Sequence, residues 1–106
     1  MRATCIEVDR IRKEDQPVMF YGAGEIGKRA VSYLKKHNEH FRLNGFVVTR
    51  RDESKSMFEN YELLAIDECV ARYQDALYVI TTLPDYHESI IKELKARGIS
   101  NYVCLV

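Results

Sequence analysis

Three glycines at a fixed spacing, Gly22-Ala23-Gly24-Glu25-Ile26-Gly27, lie between a short apolar run and an amphipathic stretch, and they restrict the fold of this chain more than any other feature. The preceding run, Val18-Met19-Phe20-Tyr21, is apolar at every position, as in a strand buried on both faces. Beyond the glycines, Ile26, Ala30, Val31 and Leu34 recur at helical spacing while Lys28, Arg29, Lys35 and Lys36 point elsewhere, which predicts a helix over 25–37. A strand that ends in Gly-x-Gly-x-x-Gly and runs directly into a helix is the context in which such glycines form a phosphate loop. Gly22 is expected to take the tight turn, Gly24 to let backbone approach a pyrophosphate, and Gly27 to let the helix pack closely on the sheet. The helix start, at Glu25 and Ile26, offers unpaired N–H groups and a positive dipole end to an anion. The Glu25 carboxylate suits that dipole but competes with a phosphate for it.

The rest of the chain repeats the alternation. Leu43 to Val48 reads as a second strand, Thr49 to Ser56 as a polar loop, and Tyr61 to Ala65 as a short, less buried strand. Ile66 to Tyr73 reads as a short helix with Asp67 as its cap. Ala76 to Thr82, β-branched and almost uncharged, is the clearest central strand. Pro84 opens a helix to Arg97 that Gly98 stops, and Tyr102 to Val106 is a last strand. Strands alternating with helices call for a parallel sheet with right-handed crossovers. The expected architecture is therefore one α/β, Rossmann-like, three-layer domain over residues 17–106. It has a five-stranded parallel sheet of order 3-2-1-4-5, with a ligand crevice at the carboxyl ends of the first and fourth strands. Residues 1–16 are expected to form an appendage: a helix over 4–13, with Thr4 and Glu7 spaced as a capping box, and a polar connector closed by Pro17.

Composition narrows the function classes. The chain has 106 residues, and Lys plus Arg and Asp plus Glu balance at 16 each, so no global field recruits nucleic acid or an anionic membrane. Any anion site is local. No apolar run approaches the roughly 18 residues of a membrane span, and the start lacks a signal-type apolar stretch, so a cytoplasmic location is expected. Three cysteines, Cys5, Cys69 and Cys104, are widely spaced without Cys-x-x-Cys and read as reduced thiols. No metal-ligand spacing occurs, and no nucleophile, base and orienting residue can be assembled, so catalysis by this chain alone is not expected.

Two further segments are placed to meet a ligand. Thr49-Arg50-Arg51 follows the second strand, where an NAD site usually carries an acidic residue for the ribose 2′-hydroxyl. Two arginines suit a 2′-phosphate and favour NADP over NAD, unless a one-residue shift brings Asp52 into the acidic role. The alternative is an exposed charged loop. Thr81-Thr82-Leu83-Pro84-Asp85-Tyr86-His87 joins the fourth strand to its helix, so Thr81, Thr82, Pro84 and His87 are expected to line the crevice opposite Gly24.

Taken in order, Tyr21 to Gly27, Asn44-Gly45-Phe46-Val47-Val48, Tyr61-Glu62-Leu63-Leu64 with Asp67-Glu68, Tyr78-Val79-Ile80-Thr81-Thr82 and Tyr86-His87-Glu88 resemble the Rossmann-like domains attached to bacterial surface-polysaccharide biosynthesis proteins. These include glycosyltransferases, phosphocholine-transferase-like proteins and nucleotide-sugar dehydratase and epimerase relatives. The resemblance spans about residues 17–106 and implies a regulatory or accessory module that binds NAD(P) or a nucleotide sugar. Its expected partners are a small nucleotide ligand and a fused or associated catalytic domain, with homo-oligomers compatible. The alternatives are the cofactor half of an NAD(P)-dependent oxidoreductase or sugar-nucleotide dehydratase, and a ligand-free scaffold for protein contacts.

Overall fold

Four consecutive apolar residues cannot alternate between core and solvent, so Val18–Tyr21 has to run through the middle of the molecule. It does so as β1, with every residue 4% exposed or less. The computed structural model describes residues 17–37 and 42–104; the helix expected over 4–13 and the last two residues of the expected final strand lie outside the described residues. After β1 come α1 (Glu25–His37), β2 (Gly45–Val48), β3 (Met57–Phe58), β4 (Tyr61–Ala65) and α2 (Ile66–Arg72). They are followed by β5 (Leu77–Ile80), a 3₁₀ turn (Pro84–Tyr86), α3 (His87–Ala96) and β6 (Tyr102–Cys104).

The sheet corrects the sequence expectation. Among the described residues it has six strands in the order β3-β4-β2-β1-β5-β6 and is mixed, because β3 pairs antiparallel with β4 while the other neighbours are parallel. The five-stranded, all-parallel 3-2-1-4-5 Rossmann sheet is therefore overturned. The added strand comes from a two-residue hairpin in which Phe58 faces Tyr61 and both linking residues are left-handed, Glu59 at φ 50° and Asn60 at φ 67°. Positive φ at both central positions is the twist that a tight hairpin needs, and Asn tolerates it better than Glu. Tertiary contacts hold Glu59 there: its carboxylate pairs with Lys28 of α1 at 3.4 Å, and the Phe58 ring meets Phe46 edge-on at 4.8 Å.

Helices cover both faces of the sheet. On one side, Ala30, Val31 and Leu34 of α1 pack on Phe20, Phe46, Leu63 and Val79. Phe46 is the hub of that side, fully buried and edge-on to Phe20, Phe58 and Tyr61. On the other side, Ile66 and Cys69 of α2 and Ile90 and Leu94 of α3 pack on Met19, Tyr21, Val47, Tyr78 and Ile80. Burial pushes the Cys69 thiol up to about 11, so this thiol is an inert member of the core. The Tyr78 hydroxyl beside it donates to the Tyr73 carbonyl at 2.9 Å.

Helix starts differ from expectation in two places. Asp67 does not cap α2; Glu68 reaches back to accept the Ala65 N–H at 3.3 Å, and Asp67 instead accepts from Arg97 at 2.8 Å, tying α2 to α3. The helix expected from Pro84 begins as a 3₁₀ turn, and regular α-helix starts only at His87.

The hairpin account is checked at Asn60. Replacing it with Val, which resists positive φ, should cost about 1–2 kcal/mol and lower the melting temperature by at least roughly 4 °C, whereas Asn60→Gly should stay near the parent value. An unchanged melting temperature for Asn60→Val in thermal denaturation would contradict this turn.

Candidate functional site

The carboxyl ends of β2, β1 and β5 lie side by side, with Tyr21 opposite Val47 and Ile80. The chain leaves β1 through Gly22 at φ +127°, and the Gly22 N–H still donates to the Val47 carbonyl at 2.9 Å. Thr81 fixes the same corner from β5. Its N–H donates to the Tyr21 carbonyl at 2.9 Å, and its hydroxyl, in a residue 2% exposed, sits 3.1 Å from the Gly22 carbonyl and 3.3 Å from that of Tyr21.

The three loop glycines have different reasons to be glycine. A Cβ on Gly22 would sit 2.7 Å from Thr82 Cγ2, in a left-handed backbone that side chains rarely adopt. A Cβ on Gly27 would sit 2.6 Å from the Gly22 carbonyl oxygen and 3.0 Å from the Phe46 ring. A Cβ on Gly24 would meet nothing within 4 Å. The fold therefore requires Gly22 and Gly27, while Gly24 faces open space.

That space is a cleft of about 430 Å³. One wall runs from Gly22 to Ile26, and the other is Thr81, Thr82, Leu83 and Tyr86. The first helical backbone bond of α1 runs from the Lys28 N–H to the Gly24 carbonyl at 3.0 Å, so the N–H groups of Glu25, Ile26 and Gly27 precede the helical ladder. Gly24 has no side chain to cap them. The start of α1, where the positive end of its dipole lies, thus borders the cleft, and the acidic first-turn residue Glu25 is among those that line it. Lys28 is drawn away to Glu59.

Of the residues expected to meet a ligand, Gly22, Gly24, Glu25, Ile26, Thr81 and Thr82 come together here. Gly27 lies buried behind the loop. Thr81 spends its hydroxyl on the backbone carbonyls of the loop, and the Thr82 hydroxyl donates to the Leu83 carbonyl at 3.2 Å. Pro84 and His87 are outside the lining: Pro84 starts the 3₁₀ turn, and His87 Nε2 turns back to the Thr82 carbonyl at 3.0 Å.

Thr49, Arg50 and Arg51 share this edge of the sheet but do not line the cleft. Thr49 Oγ1 is hydrogen-bonded to the Tyr21 hydroxyl at 2.7 Å, whose pKa burial raises against the lowering effect of that bond. Arg51 holds Glu68 at 3.3 Å and donates to the Lys55 carbonyl at 3.0 Å, bracing its loop against the start of α2. Arg50 is exposed. The Asp52 carboxylate accepts the Ser54 N–H at 3.0 Å and hydroxyl at 2.8 Å, which hold its pKa below the usual carboxylate value.

Sequence reasoning passed over Ala23, Leu83 and Tyr86 as lining residues. The signal for the last two was the presence of large apolar side chains on either side of Pro84, in a turn otherwise polar.

Among the described residues, no helix is long and apolar enough to cross a membrane, and no group of three or more His, Cys, Asp or Glu is gathered to hold a metal ion. Compared with protein-family models and with curated proteins, the chain matches none.

The division among the glycines is testable by substitution. Gly27→Ala should cost about 1–3 kcal/mol through overpacking against Gly22 and Phe46, whereas Gly24→Ala should leave the melting temperature nearly unchanged. Equal losses for the two variants in denaturant titrations would contradict the assignment.

Proposed function

We propose that this chain is a nucleotide-binding module that takes the phosphates of its ligand at the start of α1. It would serve as an accessory or regulatory part of a glycan-assembly protein. The observation that carries the reading is Gly24: of the three loop glycines it alone is not required by the fold, and it borders the cleft beside the start of α1. A glycine beside unpaired N–H groups allows an anion closer to the backbone than any side chain would. The cleft also falls within the roughly 300–1,000 Å³ range typical of small-molecule sites. The glycan context is what the resemblance of the chain's short motifs to the Rossmann-like domains of surface-polysaccharide proteins implies, and the ligand classes it implies are nucleotide sugars and NAD(P).

Thermal-shift measurements with ADP, UDP, UDP-glucose, NAD, NADP and inorganic pyrophosphate test the reading. A ligand at 100 times its Kd adds about 2.7 kcal/mol, which for a domain of this size raises the melting temperature by more than about 10 °C. Gly24→Asp, which places a carboxylate at the anion position, should abolish the rise without unfolding the protein. Glu25→Gln should have two opposite effects: a slightly less stable protein, because the helix start loses its favourable charge, and phosphate binding about 2- to 5-fold tighter. Absence of any rise, or a rise that survives in Gly24→Asp, would refute the proposal.

A further inference from the structure

The described helices do not cover the two faces of the sheet equally. The Tyr78 side carries α2 and α3, whereas α1 is the one described helix on the Phe20 side. Six strands about 4.8 Å apart make a face roughly 24 Å across, and a helix with its side chains covers about 10 Å of it. α1 joins β1 to β2, and Ala30, Val31 and Leu34 set it against Phe20 and Phe46. β5 and β6 lie on the other side of β1. Their side chains alternate, so Tyr78, Ile80, Tyr102 and Cys104 face α2 and α3 while Leu77, Val79 and Val103 face the α1 side. Leu77 and Val79 are nonetheless fully buried, and Val103 is half-buried in the edge strand. A strand buried on both faces has to be covered on both. The cover over Leu77 and Val103 therefore comes from beyond α1.

The chain itself brings a segment to this place. Pro17 enters beside β5, where its carbonyl accepts the Leu77 N–H at 2.8 Å, at the amino ends of the strands and away from the cleft. Residues 1–16 thus start from the border of the area that α1 leaves open, whereas residues 38–41 join α1 to β2, on the far side of β1 from β5. Cys5, Val8 and Ile11 recur every third residue within 4–13, which sets them along one face of a helix. Ten helical residues span about 15 Å, close to the roughly 13 Å of a four-residue strand, and residues 14–16 reach about 10 Å as an extended connector. A segment tethered this closely meets the face at an effective concentration of about millimolar, which a second copy in dilute solution does not reach.

We infer that residues 1–16 dock on the α1 side of the sheet, with Cys5, Val8 and Ile11 against Leu77 and Val103, and complete the core there. The segment is then part of the folded domain and not an appendage to it. The docking face starts from the strand ends opposite the cleft, so the inference stands independently of the phosphate reading.

Methyl NOE spectroscopy on the full chain tests the docking. The expected result is a set of NOEs linking the Val8 and Ile11 methyls to those of Leu77 and Val103. A mixed sample of labelled and unlabelled chains, filtered for contacts between molecules, should show none of them. Val8→Asp and Ile11→Asp should each lower the melting temperature by more than roughly 5 °C, and Arg10→Gln, on the opposite face of the helix, by less than about 2 °C. If an Asp variant fails to fold, the NOEs of the parent decide. Val8 and Ile11 methyls that contact no residue of the sheet would overturn the inference, as would equal losses for Val8→Asp and Arg10→Gln. Contacts between molecules at Val103 would overturn it in favour of a second copy.

Discussion

The approach of α1 to the end of β1 depends on two absent Cβ atoms. Gly27 brings the helix backbone against the Gly22 carbonyl, and Gly22 clears the side chain of Thr82 while taking a left-handed turn. With the helix seated there, Ala30, Val31 and Leu34 reach the sheet beside Phe46, and the first N–H groups of α1 arrive at the carboxyl end of the strands. Thr81 completes the corner from β5 by bonding the loop carbonyls. One packing constraint thus sets both the core on this face and the position of the cleft.

Most polar side chains around the cleft are already committed to the fold. Lys28 answers the strained Glu59 turn, Arg51 braces its loop on Glu68, and His87 closes the turn before α3. Exposed ion pairs of this kind contribute about 0–1 kcal/mol each, so they orient segments more than they stabilise them. The cleft itself is bordered by Gly22 to Ile26 on one wall and by Thr81, Thr82, Leu83 and Tyr86 on the other.

Much of this was legible in the sequence because it depends on local pattern. The apolar run 18–21, the glycine spacing and the helical recurrence from Ile26 to Leu34 each report their own structure, and α1 begins and ends where the spacing places it. The sheet was misread at β3, because a two-residue strand joined by Glu59-Asn60 lacks the Asn-Gly or Asp-Gly signal of a tight hairpin and is held by Phe46 and Lys28, distant in the chain. The site was partly misread for a similar reason. The arginine loop looked free because its partner Glu68 lies 17 residues away, and His87 looked like a cleft residue because its turn back to Thr82 cannot be read from spacing. Leu83 and Tyr86 were passed over because a helix was expected to begin at Pro84, whereas the 3₁₀ turn places both on the cleft wall.

The central claim, that an anion binds the backbone at the start of α1, is tested most directly by amide NMR during a titration with inorganic pyrophosphate. The account predicts saturable shifts concentrated at the N–H groups of Gly24, Glu25, Ile26 and Gly27, the groups that precede the helical ladder or border the cleft. Shifts confined to exposed cations such as Arg29 and Arg50, or no saturable shift at all, would contradict it.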